Sequence, residues 1–408
     1  MDKKQAAKLT ALCCLVYFAS YITRLDYAAV LVEIVQDLQI AKTTASIAVT
    51  GSFITYGAGM LIFGVLGDRI TPRAMITIGL IGTSAINLCM GLLPNIYVMI
   101  AIWCFNGFFQ AMLWPPVTRT LTENLGESAA REAIAKVIQA AQIATLGIYI
   151  LSPLAIRLAS WRAVFLGAAA IGFVAVALWY PSTANIRQSR PAPAQDQPQA
   201  PAVERAPVGR LVMAAGLIPM MIAIVLMGML RDGLQTWMPT YVCEVFGLST
   251  ETSILLTSLL PVLSMLAIAV STRLFRTNGD ETVTASILFG LSTVCAAVMA
   301  VIFPGPATLG VLLFALLAGS MHGVNQMIIC FTPTRFEAYG RVSTFSGLLN
   351  CFVYVGAAIS TYGFAGFSEA FGWRSTMVLW TVLAVLGTAF CLICIPKWRA
   401  FYQGKAKV

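Results

Sequence analysis

Two arginines stand inside long apolar runs. Arg24 lies in "VYFASYITRLDYAAVL" and Arg231 in "LMGMLRDGLQTWMPTYV". A guanidinium stays charged at any biological pH, and its planar fork matches phosphate or carboxylate with two parallel hydrogen bonds. In an apolar helix such a charge is costly and usually faces a cavity. Tyr17, Tyr21 and Arg24 follow the i, i+4, i+7 spacing that lines one side of a helix, whereas Asp26, two residues on, points roughly to the opposite side. The face of Arg231 includes Met227, Gln235 and Met238. Two such cations facing one water-filled cleft would repel each other, so the pair calls for an anion. Two forks suit a dianionic phosphate better than a lone carboxylate. The competing assignment for each arginine is an ion pair that holds helices together, with Asp26 or Asp232 as the partner.

Other polar side chains recur at depth. Asn106 and Gln110 are spaced i, i+4, as are Asn350 and Tyr354; Gln139 and Gln142 share one run, and His322, Asn325 and Gln326 another. Each can line a cavity or simply hydrogen-bond between helices. His322 is the one histidine, so it reads as a cavity donor and not as a metal ligand. "GVLGDRITPRAM" places Asp68 beside Arg69 and Arg73, a spacing suited to a cytoplasmic latch that is made and broken during a conformational cycle.

These residues need helices to hold them. Of the 408 residues, 59% are hydrophobic and 11% charged, with mean hydropathy +0.83. Soluble domains are about 25% charged, so here the lipid bilayer is the solvent. Twelve segments are long enough to span it, at about 9–34, 46–67, 74–93, 97–122, 132–157, 161–181, 211–240, 250–274, 282–304, 306–331, 341–366 and 373–396. The run from about Leu9 has no small-residue cleavage site and reads as a retained first span. With the N-terminus in the cytoplasm, 20 Lys and Arg fall on the cytoplasmic side and 4 outside, which puts both termini in the cytoplasm. The net charge of +9 is therefore a matter of topology, and no nucleic-acid partner is expected. All ten cysteines lie in or beside apolar runs and read as small apolar side chains.

The Pro-, Ala- and Gln-rich stretch 185–210 cannot pack a core and reads as a cytoplasmic linker. It divides the chain into a six-helix bundle over 1–184 and another over 211–408. Trp-Arg opens both span six and span twelve, and Trp161 and Trp373 stand 212 positions apart; Arg24 and Arg231 stand 207 apart. Two unusual features at nearly one offset indicate a duplicated unit. The expected fold is an all-α membrane protein, with twelve transmembrane helices in two pseudo-symmetric six-helix bundles. Such proteins place substrate near the bilayer midplane, between the halves.

At these residues the chain resembles the major facilitator superfamily, whose loop between spans two and three reads Gly-x-x-x-Asp-Arg followed by basic residues. Within it, the chain is similar to the organophosphate:phosphate antiporter family, which includes glycerol-3-phosphate transporters. The similarity is carried by "YFASYITR", "FNGFFQAMLWPPVTRT", "LRDGLQTWMPTYV" and "TFSGLL" with "VYVG". It implies that Arg24 and Arg231 grip phosphate and that Tyr17 and Tyr21 line the site. It further implies that Gln142 stands in the place of a functional histidine, His322 in that of a tyrosine, and that Tyr354 matches a span-eleven tyrosine. The chain departs from that pattern at Leu25, Met60, Thr236 and Leu259–Leu260, where two basic and two acidic residues are replaced together.

The expectation is an alternating-access transporter of an organic phosphate or similar small anion, in exchange for inorganic phosphate. The substrate-binding residues would be Arg24, Arg231, Tyr17, Tyr21, Gln110, Gln142, Gln235, His322, Asn325 and Tyr354. The latch would be Asp68, Arg69 and Arg73. Proton-coupled uptake of an organic anion such as a carboxylate is the alternative, motivated by Asp26, Asp232 and His322, and an organophosphate sensor is a third reading. No enzyme chemistry, cofactor or metal is expected, because no nucleophile–base pair, metal cluster or Walker-type loop is present in the sequence. The expected form is a monomer in a cell inner membrane.

Overall fold

A computed structural model describes residues 3–66, 70–125, 127–184, 207–339 and 342–404. These residues are almost wholly helical. In chain order the helices are α1 (Lys3–Ala29), α2 (Leu31–Asp37), α3 (Lys42–Leu66), α4 (Pro72–Leu92), α5 (Ile96–Gln110), α6 (Trp114–Asn124), α7 (Glu127–Leu158) and α8 (Trp161–Ser182). There follow α9 (Val208–Ala214), α10 (Leu217–Phe246), α11 (Thr250–Thr257), α12 (Leu259–Asn278), α13 (Glu281–Ile302), α14 (Ala307–Asn325) and α15 (Val342–Tyr402). A π-helical turn, Gln326–Phe331, and a 3-10 helix, Thr332–Tyr339, join α14 to α15.

Among the described residues, ten helical stretches are long and apolar enough to cross a membrane. The last, Thr344–Tyr402, holds two spans, because Gly372 breaks the helix at φ 76°, ψ 171°, a conformation open to glycine. With α3, these account for the twelve segments read from hydropathy. Leucine, isoleucine and valine side chains stand exposed along the helices, Leu158 and Val301 among them. In water such surface would aggregate; in a multi-pass membrane protein it meets lipid.

Several boundaries differ from those read in the sequence, each for a local reason. The first span ends at Ala29, and a separate short helix, α2, takes up Leu31–Asp37. Span four is broken after Gln110, and α6 restarts with Pro115 and Pro116 at its first positions. Neither proline has an N–H to continue the earlier helix, whereas both fit a helix start. Span seven runs on to Phe246, where Gly247 at φ 64° closes it.

The chain clusters into two units. The first holds residues 3–184 of those described, together with Ser249–Ser258. In it α1 packs on α7 and α8, α3 on α5, α4 on α8, and α11 on α7. Its buried core joins Val16, Leu80, Leu113, Val137, Ala175 and Trp179, and Tyr17 and Trp114 pack against it. The second unit holds residues 207–248 and 259–404. There α10 and α13 pack on α15, and α12 on α14. A Cβ on Gly228 of α10 would run into the carbonyl of Val353, and one on Gly356 of α15 into that of Val225. Glycine at both positions lets these helices touch backbone to backbone, beside Arg231 and Tyr354.

Candidate functional site

In the first unit the predicted stripe on α1 is intact. The rings of Tyr17 and Tyr21 lie 5.1 Å apart, and Tyr17 packs at 4.8 Å on Trp114, at the start of α6. The guanidinium carbon of Arg24 lies 6.0 Å from the Tyr21 ring centre and 4.6 Å from that of Tyr56 on α3. A cation over an aromatic face gains from about 0.5 kcal/mol where exposed to about 2 kcal/mol where desolvated, and Arg24 is half-buried. Arg24 is thus carried in an aromatic cradle built from α1 and α3. Tyr56 was not foreseen: no spacing within one helix could pair it with Arg24, because the contact joins two spans.

Asp26 lies elsewhere, fully buried, and its Oδ1 accepts from the Tyr27 backbone N–H at 2.9 Å. This agrees with the helical geometry that separates it from Arg24.

Gln110 takes a different place from the cavity-lining one expected of a binding residue. It is 2% exposed and engaged on every side. Its Oε1 accepts from Ser20 Oγ at 2.7 Å, and its Nε2 donates to Ser20 O at 3.1 Å, Thr23 Oγ1 at 3.0 Å and Thr83 Oγ1 at 2.9 Å. Asn106 and Asn87 both donate to Thr23 O, at 2.9 and 3.1 Å. This network ties α1 to α4 and α5 behind the arginine, as buried amides commonly do between membrane helices. In this arrangement Gln110 holds the helix that carries Arg24. Gln142, on α7, is half-buried.

In the second unit Arg231 has a different setting. Its Nε donates to Asp232 Oδ1 at 2.8 Å and its Nη2 to Asp232 Oδ2 at 2.7 Å, a two-bond fork. Its Nη1 donates to Asn325 Oδ1 at 2.6 Å. Both charged side chains are 12% exposed. Asn325 ends α14, where the helix widens into the π-turn of Gln326–Phe331; such turns are frequent at functional sites. His322 lies one turn earlier on the same helix. Gln326 is drawn away, its Oε1 accepting from Ser271 Oγ at 3.0 Å. Gln235, one turn on from Arg231, and Tyr354, on α15 beside the close approach to α10, are half-buried. Arg231 and Asn325 are therefore brought into direct contact. Asp232 is the counter-charge of Arg231.

Of the proposed latch, Asp68 and Arg69 fall outside the described residues. Arg73 donates from Nη2 to Tyr180 O at 2.6 Å and stacks 4.2 Å from the Tyr180 ring centre, which ties α4 to the end of α8. Among the described residues no group of three His, Cys, Asp or Glu side chains has metal-ligand geometry.

Comparison with known proteins agrees with this architecture. The model of a family described as Major Facilitator Superfamily matches residues 12–361. A probable hexose phosphate transport protein of Chlamydia trachomatis serovar D is 24% identical over 418 residues, covering 96% of this chain and 90% of that protein. A glycerol-3-phosphate transporter of Bacillus subtilis strain 168 is 25% identical over 260 residues, 58% of this chain and 57% of that one. The membrane sensor protein UhpC of Escherichia coli K12 is 31% identical over 106 residues, 26% of this chain and 24% of the sensor. Among solved structures, an inward-facing, unoccupied bacterial homolog of the human lysosomal transporter Spinster superposes with TM-score 0.80 at 14% identity. That match covers 98% of this chain and 99% of the homolog, and it speaks to the fold.

Proposed function

This chain belongs to the Major Facilitator Superfamily, and on that premise we propose that it is a secondary transporter of an organic phosphate, working by alternating access in exchange for inorganic phosphate. The observation that carries this reading is the duplicated arginine. Arg24 and Arg231 stand 207 positions apart, close to the 212 that separates Trp161 from Trp373, and each guanidinium is held by neighbouring side chains inside an apolar bundle. Similarity to hexose phosphate and glycerol-3-phosphate transporters, in the first case over nearly the whole chain, supports the choice of phosphate.

In the proposed cycle the substrate phosphate is bound through these arginines. At Arg231 the phosphate takes the place of Asp232, and its different affinity for the two conformations supplies the free energy that the change requires. Tyr17, Tyr21, Gln142, Gln235, His322, Asn325 and Tyr354 are proposed to line the path. Asp68, Arg69 and Arg73 are proposed to work the cytoplasmic side. The protein is proposed to act as a monomer in the bilayer of an inner membrane, with both termini in the cytoplasm and no nucleic-acid partner.

The test is counterflow. Proteoliposomes loaded with inorganic phosphate are expected to take up labelled glycerol-3-phosphate or hexose phosphate, to stop when internal phosphate is removed, and to ignore a protonophore. Uptake that collapses with the protonophore, yet survives removal of internal phosphate, would replace exchange by proton-coupled symport. Binding without flux would make the protein a sensor.

A further inference from the structure

The fork of Arg231 that a phosphate would use is already filled by Asp232, with contacts of 2.8 and 2.7 Å. Helix geometry does not impose this pair. Residues i and i+1 point about 100° apart and do not face each other, so both side chains must bend toward a common point. The pair is also scarcely solvated, each side chain being 12% exposed. Water therefore competes weakly with Asp232, and any anion that binds Arg231 through the same fork must displace a carboxylate tethered to the next residue.

We infer that Asp232 is a built-in competitor that sets the chemical class of the substrate, admitting phosphates and refusing monocarboxylates. A monocarboxylate offers Arg231 the charge and the two oxygens that Asp232 already supplies, and it must in addition give up its freedom of motion to bind. The tethered group wins that contest by effective concentration. A phosphate dianion brings a second negative charge and a third oxygen, which the rest of the site can use once Asp232 has been pushed aside. Asn325, whose Oδ1 takes the Nη1 hydrogen bond at 2.6 Å, keeps the guanidinium oriented through the exchange. This inference rests on the proposal that an anion binds at Arg231, and it adds which anions succeed.

The experiment measures binding of labelled inorganic phosphate to the full-length protein, with unlabelled glycerol-3-phosphate or glycerate as competitor, in wild type and Asp232→Asn. Wild type is expected to release label to glycerol-3-phosphate and not to glycerate. Asp232→Asn is expected to bind phosphate about tenfold more tightly, the order gained when one charge-assisted competitor is removed. It is also expected to let glycerate compete. Asp232→Ser, small and neutral, carries the same expectation and stands in if the asparagine variant does not fold. Unchanged or weaker phosphate binding in the folded variant, or unchanged exclusion of glycerate, overturns the inference while leaving the anion site standing. Absence of phosphate binding in wild type and both folded variants overturns the anion site as well.

Discussion

The two halves carry the same arginine in opposite surroundings. At Trp161 and Trp373 they match closely. Trp161 Nε1 donates to Asp37 Oδ2 at 2.9 Å in one unit, and Trp373 Nε1 to Glu244 Oε2 at 2.8 Å in the other. Each acid stands 13 residues after its arginine, Asp37 after Arg24 and Glu244 after Arg231. At the arginines themselves the match ends. Arg24 rests on the rings of Tyr21 and Tyr56, and Arg231 is gripped by a carboxylate and an amide. The two brackets match between the units, while the surroundings of the two charges differ. Aromatic faces stabilise a cation without supplying a counter-charge of their own. A bidentate aspartate supplies one, so Arg231 must be won from it.

That contrast can be broken at either end. The larger effect is expected at the aromatic cradle. Tyr56→Leu removes the nearer ring and should cost up to about 2 kcal/mol of thermal stability, read from the unfolding transition in detergent, with weaker phosphate binding alongside. Tyr56→Phe keeps the ring and should lose less than half of that. Equal losses in the two variants would mean that the hydroxyl, and not the ring face, does the holding. A smaller effect is expected at the brackets. Trp161→Phe and Trp373→Phe each delete one indole N–H, and each should cost about 1 kcal/mol, the worth of a single hydrogen bond. Because both acids are exposed, the lost partner is replaced by water in either half. A clear loss in one half with none in the other would show the two brackets to be unrelated.

Much of this was legible in the sequence because lipid imposes simple rules. Length and hydropathy give the spans, since backbone polar groups in hydrocarbon must be satisfied within a helix. The Tyr17–Tyr21–Arg24 stripe was legible for the same reason: helical spacing alone fixes it. The contact of Arg231 with Asn325 was not legible, because it joins α10 to α14 and no spacing within one helix announces it. Periodicity could not reveal contacts between spans. Tyr56 became visible as the partner of Arg24 only once α3 was packed on the bundle. Gln110 looked like a lining residue and proved to be a structural knot, because nothing along its own helix announces Ser20, Thr23 and Thr83 around it. The break before Trp114 was written in Pro115 and Pro116, yet hydropathy runs through it unbroken.

The most direct test of the central claim is exchange of labelled inorganic phosphate into phosphate-loaded proteoliposomes by wild type, Arg24→Lys and Arg231→Lys. Lysine keeps the charge and loses the planar fork. The account predicts exchange by wild type and a loss of about tenfold or more in each variant, the order expected for breaking a bidentate charge-assisted contact. Wild-type exchange rates in both folded variants would contradict it.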